Sequence, residues 1–321
     1  MIMSSTKESL CIVAVRSFLV APSKDKERPR SWLYFQEIAN SMSKESWGVD
    51  VLKDFCVVVE ASDGNKELAI GHGGRIGRFL IGADPRDTNK IWDQMCHGSQ
   101  RYGRRGLGIM IFSVIDLALW DLLGKMRGDP VYKLIGGQTK DYLTAYLTGP
   151  HPDFARQQGF YGSKVPLPQK AGLGYPIMVD CYTSLTVPYA IKLMKKCSDL
   201  DIEWWEEILS PDDTEGYSQL PYDTSVVPHG TSHSTVHFCM SQPNSPLIEY
   251  VAYSPGGKSA APVHERFLLK EPLPTIGVVP CEDLSKPGFG LEVSPHVKLI
   301  SSDDLFESYH NIFGDSKNDL L

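Results

Sequence analysis

Asp180 and Glu206 each close an apolar run, Pro176-Ile177-Met178-Val179-Asp180 and Ile202-Glu203-Trp204-Trp205-Glu206. One helix-length segment lies between them, so the pair reads as strand–helix–strand. A right-handed crossover makes such strands parallel. Neighbouring strands lie about 5 Å apart, so both carboxylates can face one cation, and oxygen ligands suit a hard ion such as Mg²⁺. A third run, Val226-Val227-Pro228-His229-Gly230, ends in a histidine that could share the rim. A metal beside an imidazole is equipped to pull a proton from carbon. The plainer alternative is two ordinary charges at strand ends and a histidine bonded to a backbone carbonyl.

Other candidates are weaker. Lys164 lies inside an apolar strand and points opposite Val165; it is either a snorkelling lysine or a cation aimed at a substrate carboxylate. Glu249 follows Pro246-Leu247-Ile248 and carries no message alone. His233 and His237 are four positions apart, on one helix face, and without cysteine or an HExxH pattern they read as helix surface. Gly71-His72-Gly73-Gly74 lacks the strand-to-helix setting of a dinucleotide loop, which counts against a nicotinamide-dependent oxidoreductase. The Trp204-Trp205 pair reads as core packing.

Positioning these groups requires a scaffold with two rhythms. Residues 10–20 and 54–61 read as strands, and 67–71 returns as a hairpin partner after the turn signal Ser62-Asp63-Gly64-Asn65. Residues 21–47 read as a surface loop. Helical spacing then runs from Asp87 to Gln100, from Gly106 to Lys125 and briefly from Val131 to Ile135, where Gly136-Gly137 signals the end. From Asp141 strands and helices alternate: strands at 142–147, 162–166, 177–181 and 202–206, a short helix at 153–159 and a longer one at 187–200. Strands followed by helices describe an α+β unit, and alternation describes a parallel sheet or (β/α) barrel.

The chain has 321 residues, with 42% hydrophobic and 22% charged, the composition of a globular protein with a large core. The net charge of −7 without a basic run excludes a nucleic-acid reader. Seven cysteines scattered without a CxxC fit reduced thiols. No run is long enough to span a bilayer, Met1 to Val15 is too short for a secretory signal, and the cytoplasm is the expected compartment.

Several stretches resemble the L-rhamnonate dehydratases of the enolase superfamily, in its mandelate racemase branch. They include Arg78-Phe79-Leu80-Ile81-Gly82-Ala83-Asp84-Pro85, Asp116 to Lys125, Pro130 to Gly137, Lys164-Val165-Pro166, Met178 to Tyr182, Trp204-Trp205-Glu206-Glu207, Val227-Pro228-His229-Gly230 and Lys286 to Gly290. They keep the family's order over about residues 50 to 305. The resemblance implies an α/β fold, an N-terminal α+β capping domain over residues 1–140 with the tail 270–321 packed on it, and an incomplete (β/α) TIM-type barrel over 141–269. It implies a Mg²⁺-dependent hydro-lyase acting on a small sugar acid, and a homo-oligomer. It makes Asp180 and Glu206 metal ligands, His229 the base, Glu249 a contact to the intermediate and Lys164 a second-strand catalytic lysine.

The chain departs from that pattern. The third metal ligand, in a Gly-Glu-His type motif, is missing, and so is the carboxylate partner of the base. Glu206 to His229 spans less than one βαβ unit of about 30 residues, where the family places two further strands. The family's substrate-gripping histidine has Ser31 in its place. Counting gives about six barrel strands, as if internal pieces were deleted. A catalytically impaired relative is therefore the alternative expectation.

Overall fold

A computed structural model describes residues 10–21, 55–62, 66–70, 80–101, 105–149, 152–166, 174–220, 225–230, 232–253, 261–262, 277–292 and 298–301. The expected loop at 21–47, apart from Ala21 at the end of the first strand, the glycine run at 71–74 and the linker at 169–172 lie outside them.

The first sheet is built from β1 (Ile12–Ala21), β2 (Phe55–Ala61) and β3 (Lys66–Ile70), antiparallel throughout, with the late strand Lys298–Ser301 on the far side of β1. Against it packs α1 (Thr88–Gly98) and the long α2 (Leu107–Arg127). In α2, Phe112, Ile115, Leu119 and Leu122 recur at helical spacing, are buried, and meet Ile12, Val59 and Ile91 in one core. Gly128 ends α2 in the left-handed conformation. The short α3 (Val131–Leu134) follows.

A clasp joins α2 to the C-terminal segment. Asp121 is fully buried, its Oδ1 accepts from the Phe289 amide at 2.5 Å, and Lys125 pairs with it at 3.1 Å. Gly288 makes this possible: its φ is +70°, and a Cβ there would stand 2.2 Å from Asp121 Oδ1.

The second sheet carries the strand–helix alternation. Its parallel strands are β4 (Tyr142–Thr148), β5 (Ser163–Val165), β6 (Ile177–Asp180), β7 (Ile202–Glu206) and β8 (Leu247–Tyr253), in spatial order β7-β6-β5-β4-β8. The connections hold α4 (Pro152–Gln157), α5 (Val187–Lys196), α6 (Thr214–Ser218) and α7 (His233–Ser241). Short antiparallel strands, β9 (Ala261–Pro262) on β8 and β10 (Val278–Pro280) on β4, complete it. Among the described residues this is a (β/α) barrel left open, with five parallel strands where the sequence suggested about six: Val226 to Gly230 forms no strand. The helix expected at 187–200 stops at Lys196, and Ser198–Leu200 is a 3₁₀ turn.

Strand alternation separates two faces of β4. Leu143, Ala145 and Leu147 join Val236, Met240 and Ile248 in one core, while Tyr146 meets Met178, Leu247, Trp204 and Val227 on the other side. Cys11, Cys96, Cys181, Cys197, Cys239 and Cys281 are free thiols, and no described helix is long and apolar enough to cross a membrane.

The expectation for His233 and His237 is corrected: α7 buries both. His237 is 1% exposed, its Nδ1 accepts from the Tyr132 amide at 3.1 Å, and its ring packs against Tyr132 and Phe289. Polarity at helical spacing misled because the His237 imidazole serves the backbone of a neighbouring segment. Burial, and next the adjacent His233, push the His237 pKa down to about 3. The unfolded chain therefore binds a proton at His237 below its ordinary pKa of about 6.5, and stability falls with acidification. Between pH 6.5 and pH 4 the wild type should lose about 3 kcal/mol more than His237→Gln, measured by urea unfolding of both proteins across that range.

Candidate active site

Asp180 and Glu206 are the final residues of β6 and β7 and pair directly across the sheet. They share one partner. Lys164, the central residue of β5, extends its ammonium to Asp180 Oδ2 at 3.1 Å and Glu206 Oε1 at 2.5 Å. Glu249 Oε1, on β8, completes the set at 2.6 Å. The Lys164 side chain is 1% exposed, so it does not snorkel. Glu249 lies within β8 and is fully buried.

Burial alone would lower the Lys164 pKa, but Glu249 and Glu206 outweigh it and hold the ammonium above its ordinary value. Burial would likewise raise the Glu206 carboxyl; the nearby His229 imidazole and the Lys164 charge overcome it and bring Glu206 to about 2. The remaining oxygens of the cluster are held by fixed donors. Tyr182 N donates to Asp180 Oδ1 at 3.0 Å, Trp204 Nε1 to Glu206 Oε2 at 3.2 Å, Thr148 Oγ1 to Glu249 Oε1 at 2.7 Å and Gly230 N to Glu249 Oε2 at 2.5 Å.

His229 reaches the same rim from a loop, not from a strand end. Its Nδ1 lies 3.9 Å from Glu206 Oε1 and 3.3 Å from Glu207 Oε1, and its side chain is 69% exposed. Glu206 chiefly raises its pKa.

Glu207 is a site residue that sequence reading missed. Successive strand residues face opposite sides, so a carboxylate after Glu206 should point away. The backbone at Glu207 turns left-handed, with φ of +46°, and its carboxylate returns to the rim. Tyr182 and Thr183, at φ +50° and +56°, do the same at the end of β6. Thr183 N donates to Glu207 O at 2.6 Å, so the two strand ends stay tied beyond the sheet. Such conformations cost about 1–3 kcal/mol each and concentrate at functional sites.

Could these residues hold a divalent cation? One oxygen each of Glu206 and Glu207 and a ring nitrogen of His229 lie within 4.8 Å of one another. Asp180, Glu206 and Glu249 share one lysine, and Glu207 adds a fourth carboxylate beside Glu206. That excess of negative charge in hard oxygen donors fits an ion of the Mg²⁺ type.

An α+β sheet beside a parallel sheet with carboxylates at its carboxyl rim defines a class of barrel enzymes, and comparison narrows it. Residues 69–136 match the mandelate racemase / muconate lactonizing enzyme N-terminal domain, and residues 167–228 match the enolase C-terminal domain-like family. The crystal structure of L-rhamnonate dehydratase from Gibberella zeae is 39% identical, with 95% of this chain and 99% of that chain covered and a TM-score of 0.78. The Mg complex of rhamnonate dehydratase from the same organism gives a TM-score of 0.79 at the same identity, covering 95% and 100%. L-Talarate dehydratase from Polaromonas sp. JS666, with Mg and L-glucarate, is 19% identical over 92% and 100% of the chains with a TM-score of 0.69, a likeness of fold alone. The chain belongs to the enolase superfamily, in its mandelate racemase / muconate lactonizing enzyme group.

Removing the central ammonium should reveal the repulsion it offsets. Lys164→Met should lose about 3–5 kcal/mol at pH 7, because it strands buried charges. The deficit should narrow toward pH 4, since the exposed repulsion raises the carboxyl pKa values and the folded variant then gains stability by taking up protons. Urea unfolding of both proteins at the two pH values checks this.

Proposed function

We propose that this protein is a Mg²⁺-dependent dehydratase of a sugar acid of the L-rhamnonate type. The observation that carries the reading is the convergence of Asp180 and Glu206, paired ends of adjacent parallel strands, beside His229. The 39% identity to rhamnonate dehydratase over 95% of the chain supports the substrate class.

Asp180 and Glu206 would hold the ion, with Glu207 the nearest carboxylate to complete the set; when bound, it acidifies the proton beside the substrate carboxylate by withdrawing electrons. His229 is the base. Its Nδ1 faces Glu207, which leaves Nε2 for substrate, and its exposure leaves that nitrogen accessible. Nε2 takes the α-proton, and the C–H electron pair moves into the bond toward the carboxylate. Collapse of that pair breaks the neighbouring C–O bond. The departing hydroxyl takes the proton back from His229 and leaves as water, and the enol product tautomerises to a 2-keto acid. Lys164, kept protonated, contributes positive charge where the substrate carboxylate becomes more negative. Glu249 fixes Lys164 and, through Gly230 N, the backbone beside His229.

A second reading is a catalytically impaired relative. It is favoured by the ligand set itself: among the described residues, no separate strand beyond β7 brings a third carboxylate to Asp180 and Glu206.

His229→Asn separates these readings. If the protein is a dehydratase, wild type with Mg²⁺ and L-rhamnonate should form a 2-keto product, detected by a carbonyl-specific assay. The variant should lose about 10²- to 10⁴-fold in turnover while calorimetry still registers Mg²⁺ binding. No product from the wild type supports the impaired relative.

A further inference from the structure

We infer that Lys164 is a resident competitor of the divalent ion: the ion takes Asp180 Oδ2 and Glu206 Oε1 from the ammonium, which stays on Glu249. The inference rests on the ion assignment proposed above. Lys164 Nζ lies 3.1 Å from Asp180 Oδ2, 2.5 Å from Glu206 Oε1 and 2.6 Å from Glu249 Oε1. It therefore stands between the two carboxylates assigned to the ion.

The four oxygens of those two carboxylates differ in what holds them. Asp180 Oδ1 accepts from Tyr182 N at 3.0 Å, and Glu206 Oε2 accepts from Trp204 Nε1 at 3.2 Å. Neither donor withdraws readily. Tyr182 N belongs to a left-handed backbone turn that the next residue ties to Glu207 O. The Trp204 ring packs edge-on against Tyr146, with centroids 5.1 Å apart and planes at 84°. Asp180 Oδ2 and Glu206 Oε1 are held instead by an ammonium on a flexible four-carbon stem. Of the three donors, Lys164 is the one that can yield without moving backbone or a packed ring.

An ion of the Mg²⁺ type sits about 2.1 Å from its ligand oxygens. On Asp180 Oδ2 and Glu206 Oε1 it would stand within about 5 Å of the ammonium, where like charges in a dry site repel strongly. Glu249 gives the ammonium a place to remain, since Thr148 Oγ1 and Gly230 N hold that carboxylate in position. The approach for the ion lies on the other side of the cluster, where Glu207 and His229 are more exposed than Asp180 and Lys164. An ammonium relieved of two acceptors has N–H donors to spare. Ion entry thus readies Lys164 for the substrate carboxylate, and the sugar acid binds second.

Two measurements test this. Calorimetric titration of Mg²⁺ should show affinity about tenfold tighter in Lys164→Gln, which keeps a neutral donor for the acids, than in the wild type. Lost charge alone would tighten binding, so the wild type supplies the deciding arm. In ¹⁵N-lysine-labelled wild type, NMR should show hydrogen exchange at the Lys164 ammonium quickening about tenfold on Mg²⁺ saturation, as two of its hydrogen bonds are given up. Unchanged exchange at saturation, or Mg²⁺ affinity no tighter in the folded variant, overturns the inference while the proposed function stands. If neither wild type nor folded variant binds Mg²⁺, the ion assignment and this inference fall together.

Discussion

One buried ammonium organises this molecule's centre. Three strands of the parallel sheet, β6, β7 and β8, each present a carboxylate to Lys164 of β5. Acidic groups this close and this dry would repel one another strongly without a cation among them. The ammonium also fixes side-chain directions, and the backbone donors from Tyr182 and Gly230 finish the task. The cluster is pre-organised in the way electrostatic catalysis requires: its charges are set before a substrate arrives.

Much of this was legible in the residue order. Apolar runs that end in Asp180 and Glu206 place both acids on one rim, because parallel strands one crossover apart keep a common direction. Helical spacing from Gly106 to Lys125 locates α2 within a few positions. The remainder depended on what a linear pattern does not encode. Glu207 lies on the wrong side of an ideal strand, and only a left-handed turn brings it back. His233 and His237 look like surface until the fold buries both, with Tyr132 and Phe289, from distant segments, closing over His237. Lys164 reads as a snorkelling side chain unless three acids on other strands are known to meet it.

The sheet is economical in strands. Among the described residues β7 and β9 are its edges, and β10 covers the N-terminal half of β4 in antiparallel fashion. His229 reaches the centre on a loop, and the next residue, Gly230, bonds Glu249. A loop held at both Glu207 and Glu249 places the imidazole where the sheet provides no strand to carry it.

The clasp between Asp121 and the Phe289 amide has a consequence for how the chain matures. The two partners are 168 positions apart. At about 5–20 residues per second, a ribosome needs roughly ten to thirty seconds to deliver the second after the first. Throughout that interval the acid at the heart of α2 has no such amide to bind and must stay wet. The helix therefore cannot reach its final packing during synthesis of the first half, and a nascent chain stalled before Gly288 would hold a hydrophobic helix with a solvated acid in its midst, a natural recognition point for chaperones.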